Sequence, residues 1–258
     1  MNRQIAIQQI REKLESGGVS LGSWMQIPHA SVAEIMGQAG YDWVAVDMEH
    51  GSISIHQLPD LFRSLELGNT LPLARIAEGT TKECKQVLDA GAGGVIVPMV
   101  ETGEQLLAVR NACRWPPGGT RGVGFSRANL FGEHFDTYRE EAQAPLLVAM
   151  IEHQQAVINL DEILDVDGLD AILIGPYDLS ASMGLTAQFE HPAFREAMAQ
   201  ILEKATLSKV PAGVHVVQPS KSELEQRISE GYRFLAYSID GVMLSVISKR
   251  VSSSNSHK

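Results

Sequence analysis

Short β-branched and apolar runs alternate along the chain with segments whose apolar positions recur at helical spacing. This is the pattern expected of parallel strands joined by crossover helices. Read this way, the sequence predicts strands at Val19–Ile27, Trp43–Met48, Leu71–Ile76, Gly94–Met99, Leu146–Glu152, Ala171–Gly175, Ala212–Val217 and Phe234–Ile239. Helices are predicted at Ser31–Ala39, Ile55–Leu67, Thr81–Ala90, Gly103–Arg114, Gln155–Leu164, Pro192–Ser208 and Ser222–Glu230, with Gly40, Gly68, Gly91 and Gly231 as stops. Eight strands in this alternation fit a closed α/β barrel, the (β/α)8 TIM barrel, better than an open doubly wound sheet, and no GxGxxG follows the first strand. Residues 1–251 therefore read as one barrel domain and 252–258 as a disordered polar tail.

The connection Trp115–Ala144 is long for this architecture and contains Pro116-Pro117-Gly118-Gly119, so it reads as a lid or a subunit contact and as a place to look for substrate selectivity. The 258 residues suit a single barrel, and 44% hydrophobic with 20% charged residues is ordinary globular composition. A formal charge of −10 without clustered Lys and Arg argues against a nucleic-acid partner. The polar start of the chain has no apolar run for a signal or a membrane span, so a cytoplasmic protein with no membrane partner is expected. Cys84 and Cys113 lack metal or disulfide spacing and read as buried thiols.

Chemistry in such barrels belongs to the C-terminal strand ends, and few polar residues fall there. They are Trp24, Glu49-His50, Arg75, Glu152 and Asp178. Glu152 and Asp178, from adjacent strand ends, could converge on a hard divalent cation such as Mg²⁺ or Mn²⁺; equally, each could cap the helix or turn that follows it. Arg75 could stabilise an enolate or grip a carboxylate, or serve as a rim ion pair. His50 could move a proton or be structural. No lysine falls at a predicted strand end, which excludes Schiff-base chemistry and leaves a metal as the electron sink for any carbanion.

The runs Val46-Asp47-Met48-Glu49-His50-Gly51, Leu73-Ala74-Arg75, Val95-Ile96-Val97-Pro98-Met99-Val100, Gly119-Thr120-Arg121-Gly122 and Gly175-Pro176-Tyr177-Asp178-Leu179-Ser180-Ala181-Ser182-Met183-Gly184, in this order, resemble the HpcH/HpaI family of class II pyruvate aldolases. The resemblance covers roughly Gly22 to Met243. It implies a barrel with its C-terminal helix exchanged between subunits, assembled as a homo-oligomer, a hexamer built as a trimer of dimers. It also implies Mg²⁺, Mn²⁺ or Co²⁺ held by Glu152 and Asp178, with Arg75 stabilising a pyruvate enolate and His50 as acid and base. Asp89 would raise the basicity of His50. Its place near the far end of a helix is awkward within one chain, so the partner would be a neighbour's His50, with Asp47 as the local substitute. The backbone around Gly175, Pro176 and Tyr177 would receive the substrate carboxylate, and Trp24 would line the pocket. Two departures stand out: Met150 replaces a Gln common in relatives, and Tyr177 is bulkier than their usual small residue.

The expected activity is cleavage or formation of 4-hydroxy-2-oxo acids, giving pyruvate and an aldehyde, through a metal-bound pyruvate enolate. Two alternatives are a citrate-synthase-like siderophore enzyme that joins the enolate to another 2-oxo acid, and a noncatalytic pyruvate-binding barrel.

Overall fold

The computed structural model describes residues 1–249, so the polar tail 252–258 lies outside the described residues. Eight strands close into one parallel barrel in sequence order. They are β1 (Ser20–Met25), β2 (Trp43–Asp47), β3 (Leu71–Arg75), β4 (Gly94–Val97), β5 (Leu146–Ile151), β6 (Ala171–Ile174), β7 (Ala212–Val216) and β8 (Phe234–Ile239). Every residue of β2 to β6 is buried, as parallel strands covered on both faces must be. This is why these strands read as continuous apolar runs. Outward side chains such as Val44, Val46, Val95 and Ile172 pack under the helices, while Trp43, Leu71, Leu73, Val148 and Phe234 fill the interior.

Small residues make room for large ones in that interior. The indole of Trp43 stacks on Phe234 at 4.5 Å, and it lies where a side chain at Gly22 would have to stand. The helix Thr81–Ala90 has the bounds its sequence predicts: Thr80 caps the Glu83 N–H, and Gly91 ends the helix at φ 105°, a left-handed conformation suited to glycine.

Among the differences from expectation, three bear on the shape of the barrel. Arg3–Glu15, too polar overall to attract notice, is a helix whose Ile7, Ile10 and Leu14 plug the base of the barrel. The predicted helix Gln155–Leu164 is two, Gln154–Ile158 and Leu160–Leu164, separated at Asn159, whose side chain donates to the Glu101 carbonyl. The connection Trp115–Ala144 is not a lid over its own active face. It runs from the end of the helix Gly103–Cys113 to the start of β5, so it lies at the base, with the helix Phe135–Gln143 inside it. Trp115, Ala128, Tyr138 and Ala142 form a small separate core there.

Candidate active site

The parallel register of β2 and β3 sets Asp47 beside Arg75. Asp47 is fully buried and receives Arg75 Nε at 2.9 Å and Nη2 at 2.6 Å, a two-pronged ion pair. Burial alone would raise the Asp47 carboxyl, but the Arg75 hydrogen bonds and charge, with a further bond from Gln26, hold it below the usual carboxylate range. The same carboxylate accepts the backbone N–H groups of Glu49 and His50, both at 3.1 Å, and so shapes the turn that carries them. Arg75 lies with its guanidinium carbon 4.4 Å from the Trp24 ring centre. With Nε and Nη2 committed to Asp47, Nη1 is the prong left for other partners: it lies 3.3 Å from Glu49 Oε2 and donates to Met150 Sδ at 3.8 Å.

Across the mouth, β5 and β6 pair Ile151 with Ile174, which brings Glu152 and Gly175 side by side. A Cβ at Gly175 would stand 2.6 Å from Glu152 Oε2, so the glycine is what leaves this carboxylate its place. Glu152 Oε1 accepts the Met99 N–H at 2.7 Å, and Met99 itself adopts a left-handed φ of 48° at the end of β4. Burial pushes the Glu152 carboxyl up to about 7, with the negative charges of Glu49 and Asp178 adding to the effect. Glu49 is likewise raised by burial, with Asp47 and Asp178 contributing, and its buried Oε2 makes no hydrogen bond. Carboxylates from the ends of β2, β5 and β6 therefore face one another around a single guanidinium. Among the described residues, no group of three or more His, Cys, Asp or Glu is arranged as a complete metal cage. The donor set nevertheless suits a hard cation sharing its shell with substrate and water: Glu152 and Asp178 come from adjacent strand ends, and the negative charge of Asp178 bears on Glu152.

Asp178 is the third residue of the helix Pro176–Ser182, in the first turn, where a carboxylate also suits the helix dipole. Of the expected carboxylate cradle, Pro176 has no N–H and the Gly175 N–H is spent on the Ile151 carbonyl. The Tyr177 and Asp178 amides remain, without hydrogen-bond partners among the described residues. The Tyr177 ring stands half exposed at the rim, edge-on to Phe189 at 5.0 Å. Trp24 is 1% exposed, so its indole serves as the floor under Arg75 more than as an open wall.

The exposed ring of His50 has Nε2 3.8 Å from Glu49 Oε2. Asp89 does not join it. It is the penultimate residue of the helix Thr81–Ala90 and lies toward the base, with Arg121 and Lys85 as its charged neighbours. Asp47 is no local substitute, because its oxygens hold Arg75 and the turn amides and not the His50 ring. The structure adds Gln26 and gives Asp47 and Glu49 roles the sequence did not assign, Asp47 as the anchor of Arg75 and Glu49 as the carboxylate beside His50. Asp47 and Glu49 both lie just before His50 in sequence, but the role of Asp47 depends on the β2–β3 register, which composition does not show.

The family model described as HpcH/HpaI aldolase/citrate lyase matches residues 20–246. The chain belongs to this family. It is 37% identical over 237 residues to the hydroxypyruvate/pyruvate aldolase of Roseobacter denitrificans, with 91% of each chain covered. It is 36% identical over 238 residues to the 2-keto-3-deoxy-L-rhamnonate aldolase of Escherichia coli, covering 91% of this chain and 88% of that one. The fold matches the crystal structure of an HpcH/HpaI aldolase/citrate lyase family protein from Burkholderia cenocepacia with a TM-score of 0.88 at 28% identity, over 93% of this chain and 96% of that one. Its relatives are thus carbon–carbon lyases. Among the described residues, no helix is long and apolar enough to cross a membrane.

Proposed function

We propose that this protein is a class II aldolase that reversibly cleaves a 4-hydroxy-2-oxo acid to pyruvate and an aldehyde, using a divalent cation held by Glu152 and Asp178. The observation that carries the reading is the uncompensated negative charge at the barrel mouth, where burial and neighbouring carboxylates push Glu152 up to about 7. A cation bound there, Mg²⁺ or Mn²⁺ with Co²⁺ as a further candidate, would act as a Lewis acid on the 2-oxo group and draw off charge as the carbon–carbon bond breaks. The residues supply the rest. Arg75, pinned on Trp24 and by Asp47, offers Nη1 to the oxygen where charge develops. The Tyr177 and Asp178 amides suit the substrate carboxylate, next to Gly175 and Pro176. His50 beside Glu49 takes a proton from the 4-hydroxyl in cleavage and returns it in synthesis.

The assembly is inferred to be a cytoplasmic homo-oligomer, a hexamer in the arrangement the family resemblance implies. Exposed Phe125, Leu130 and Phe131 at the base support such contacts, as do Leu244 and Ile247 on the helix Asp240–Ile247 that would be exchanged. In that assembly, Asp89 would orient the His50 of a second copy. The test of the activity is pyruvate release from a 4-hydroxy-2-oxo acid with added Mn²⁺. Release should stop with EDTA and fall at least about a hundredfold in Arg75→Ala. Release that is unaffected by EDTA, or none at all under saturating Mn²⁺, would reject the reading.

A further inference from the structure

One titratable side chain in the barrel interior has no part in the chemistry above. On β7, Val214 and Ala212 pack outward under the helices, so His215 between Val214 and Val216 projects inward near the mouth. Its ring lies edge-on to Trp24, with centroids 5.9 Å apart, and Trp24 is the same indole that carries Arg75. His215 and Arg75 thus rest on one shared floor.

The other side of the imidazole is fixed by β8. The β1–β8 register slips between Gly22 and Trp24, and Ser238 adopts a left-handed φ of 57° at this irregularity. The Ser238 carbonyl is 3.3 Å from His215 Nε2. A carbonyl oxygen only accepts, so Nε2 carries the hydrogen and the ring is the Nε2–H tautomer. Nδ1 is then a lone-pair acceptor, and it has no hydrogen-bond partner among the described residues. The burial that depresses the ring's basicity, to a pKa of about 4, keeps it neutral at neutral pH. A neutral acceptor set in a mostly apolar wall beside Trp24 discriminates in one direction: it favours a ligand that brings an O–H over the same ligand without it.

We propose that His215 is a specificity-determining residue that accepts a hydrogen bond from a substrate hydroxyl, so that this site prefers hydroxylated partners to their deoxy counterparts. The inference rests on the aldolase reading and goes beyond it by naming the substrate class. The hydroxyl has two possible sources, the carbon next to the keto group of the donor or the aldehyde acceptor, and the assay separates them. With Mn²⁺ saturating, kcat/KM is measured for hydroxypyruvate against pyruvate as donor, and for glycolaldehyde against acetaldehyde as acceptor, in wild type, His215→Leu and His215→Asn. In His215→Leu, one of the two hydroxy-to-deoxy ratios should fall about tenfold, the value of one neutral hydrogen bond. His215→Asn, which keeps a polar atom near the Nδ1 position, should restore part of that ratio. The ratio that moves identifies the source of the hydroxyl.

Both ratios staying within twofold of wild type in a folded His215→Leu variant would overturn the proposal and leave the aldolase reading standing. Wild-type protein that forms no carbon–carbon bond with any pair would instead overturn the aldolase reading, and this inference with it. If the variants do not fold, the ¹⁵N resonance of wild-type His215 Nδ1 decides. It should move on adding the hydroxylated ligand and not the deoxy one, and equal responses to both would overturn the proposal.

Discussion

At the base of the barrel, Arg3 reaches Glu141 at 2.8 Å and Glu66 at 3.2 Å, Arg127 meets Glu66 at 2.6 Å, and Arg11 meets Asp170 at 2.6 Å. Lys13 pairs there with Asp42. At the mouth, Asp47 and Glu49 pair with Arg75, Glu152 feels its charge, and Asp178 adds a further carboxylate beside Glu49 and Glu152. The base is balanced charge for charge; the mouth carries an excess of carboxylates. Buried charge is costly unless paired, so an end that matches its charges is built for stability, and an end that does not is built to receive a cation. The same contrast separates the two long-range expectations for the chain: Asp89 and the Trp115–Ala144 connection belong to the balanced end, Glu152 and Asp178 to the other.

The contrast is broken most severely at Glu152. Glu152→Gln removes a ligand of the proposed cation, and kcat/KM for pyruvate release should fall by about 10³ or more. It also removes one of the repelling carboxylates, so the metal-free variant should melt no lower than wild type. A variant that keeps its activity, or one that loses activity only because it unfolds, would mean that Glu152 is an ordinary structural acid. Arg3→Ala is the mirror experiment. It leaves Glu141 buried without its partner and should cost about 3–5 kcal/mol in urea unfolding, while the folded fraction turns over at the wild-type rate. Cation binding gives the next effect in size. Mn²⁺ at a hundred times its Kd should stabilise wild type by about 2.7 kcal/mol and Glu152→Gln hardly at all, read from paired melts. Equal stabilisation of both would place the cation elsewhere.

The barrel was legible because its signal is local. Parallel strands buried on both faces leave runs such as Leu146–Ile151, and the caps at Thr80 and Gly91 mark their helix unambiguously. The strand-end rule set His50, Arg75, Glu152 and Asp178 at one end of the barrel for the same reason. What failed was long-range. The helix Arg3–Glu15 carries Ile7, Ile10 and Leu14 at helical spacing, but its charged residues mask them in any average. The lid reading of the loop Trp115–Ala144 fails because length does not say which end of a barrel a connection closes. Asp47 sits three residues from His50, and only the pairing of β2 with β3 reveals that it serves Arg75 instead. A lone histidine such as His215 reads from sequence as core, and its free acceptor depends on a twist in β8.

His215 also gives the smallest and most direct test of how the mouth treats charge. The groups facing it are the Ser238 carbonyl from β8, the Trp24 edge from β1, Arg75 from β3, whose charge disfavours protonation, and Asp47 from β2, whose charge favours it. Burial dominates, and the folded-state pKa of about 4 lies below the ordinary 6.5. Above pH 6.5 the ring is neutral folded and unfolded, so it does not affect the balance. As pH falls from 6.5 toward 4, the unfolded chain takes up a proton that the folded one refuses, and stability is lost; below about 4 the loss levels off. Allowing for partial exposure, the effect should be about 1–2 kcal/mol across that window. His215→Asn cannot titrate, so its stability between pH 7 and pH 4.5 should fall less steeply than wild type by that amount in urea unfolding. Parallel curves would mean that the imidazole protonates freely in the folded protein, which would remove the neutral acceptor from the barrel wall.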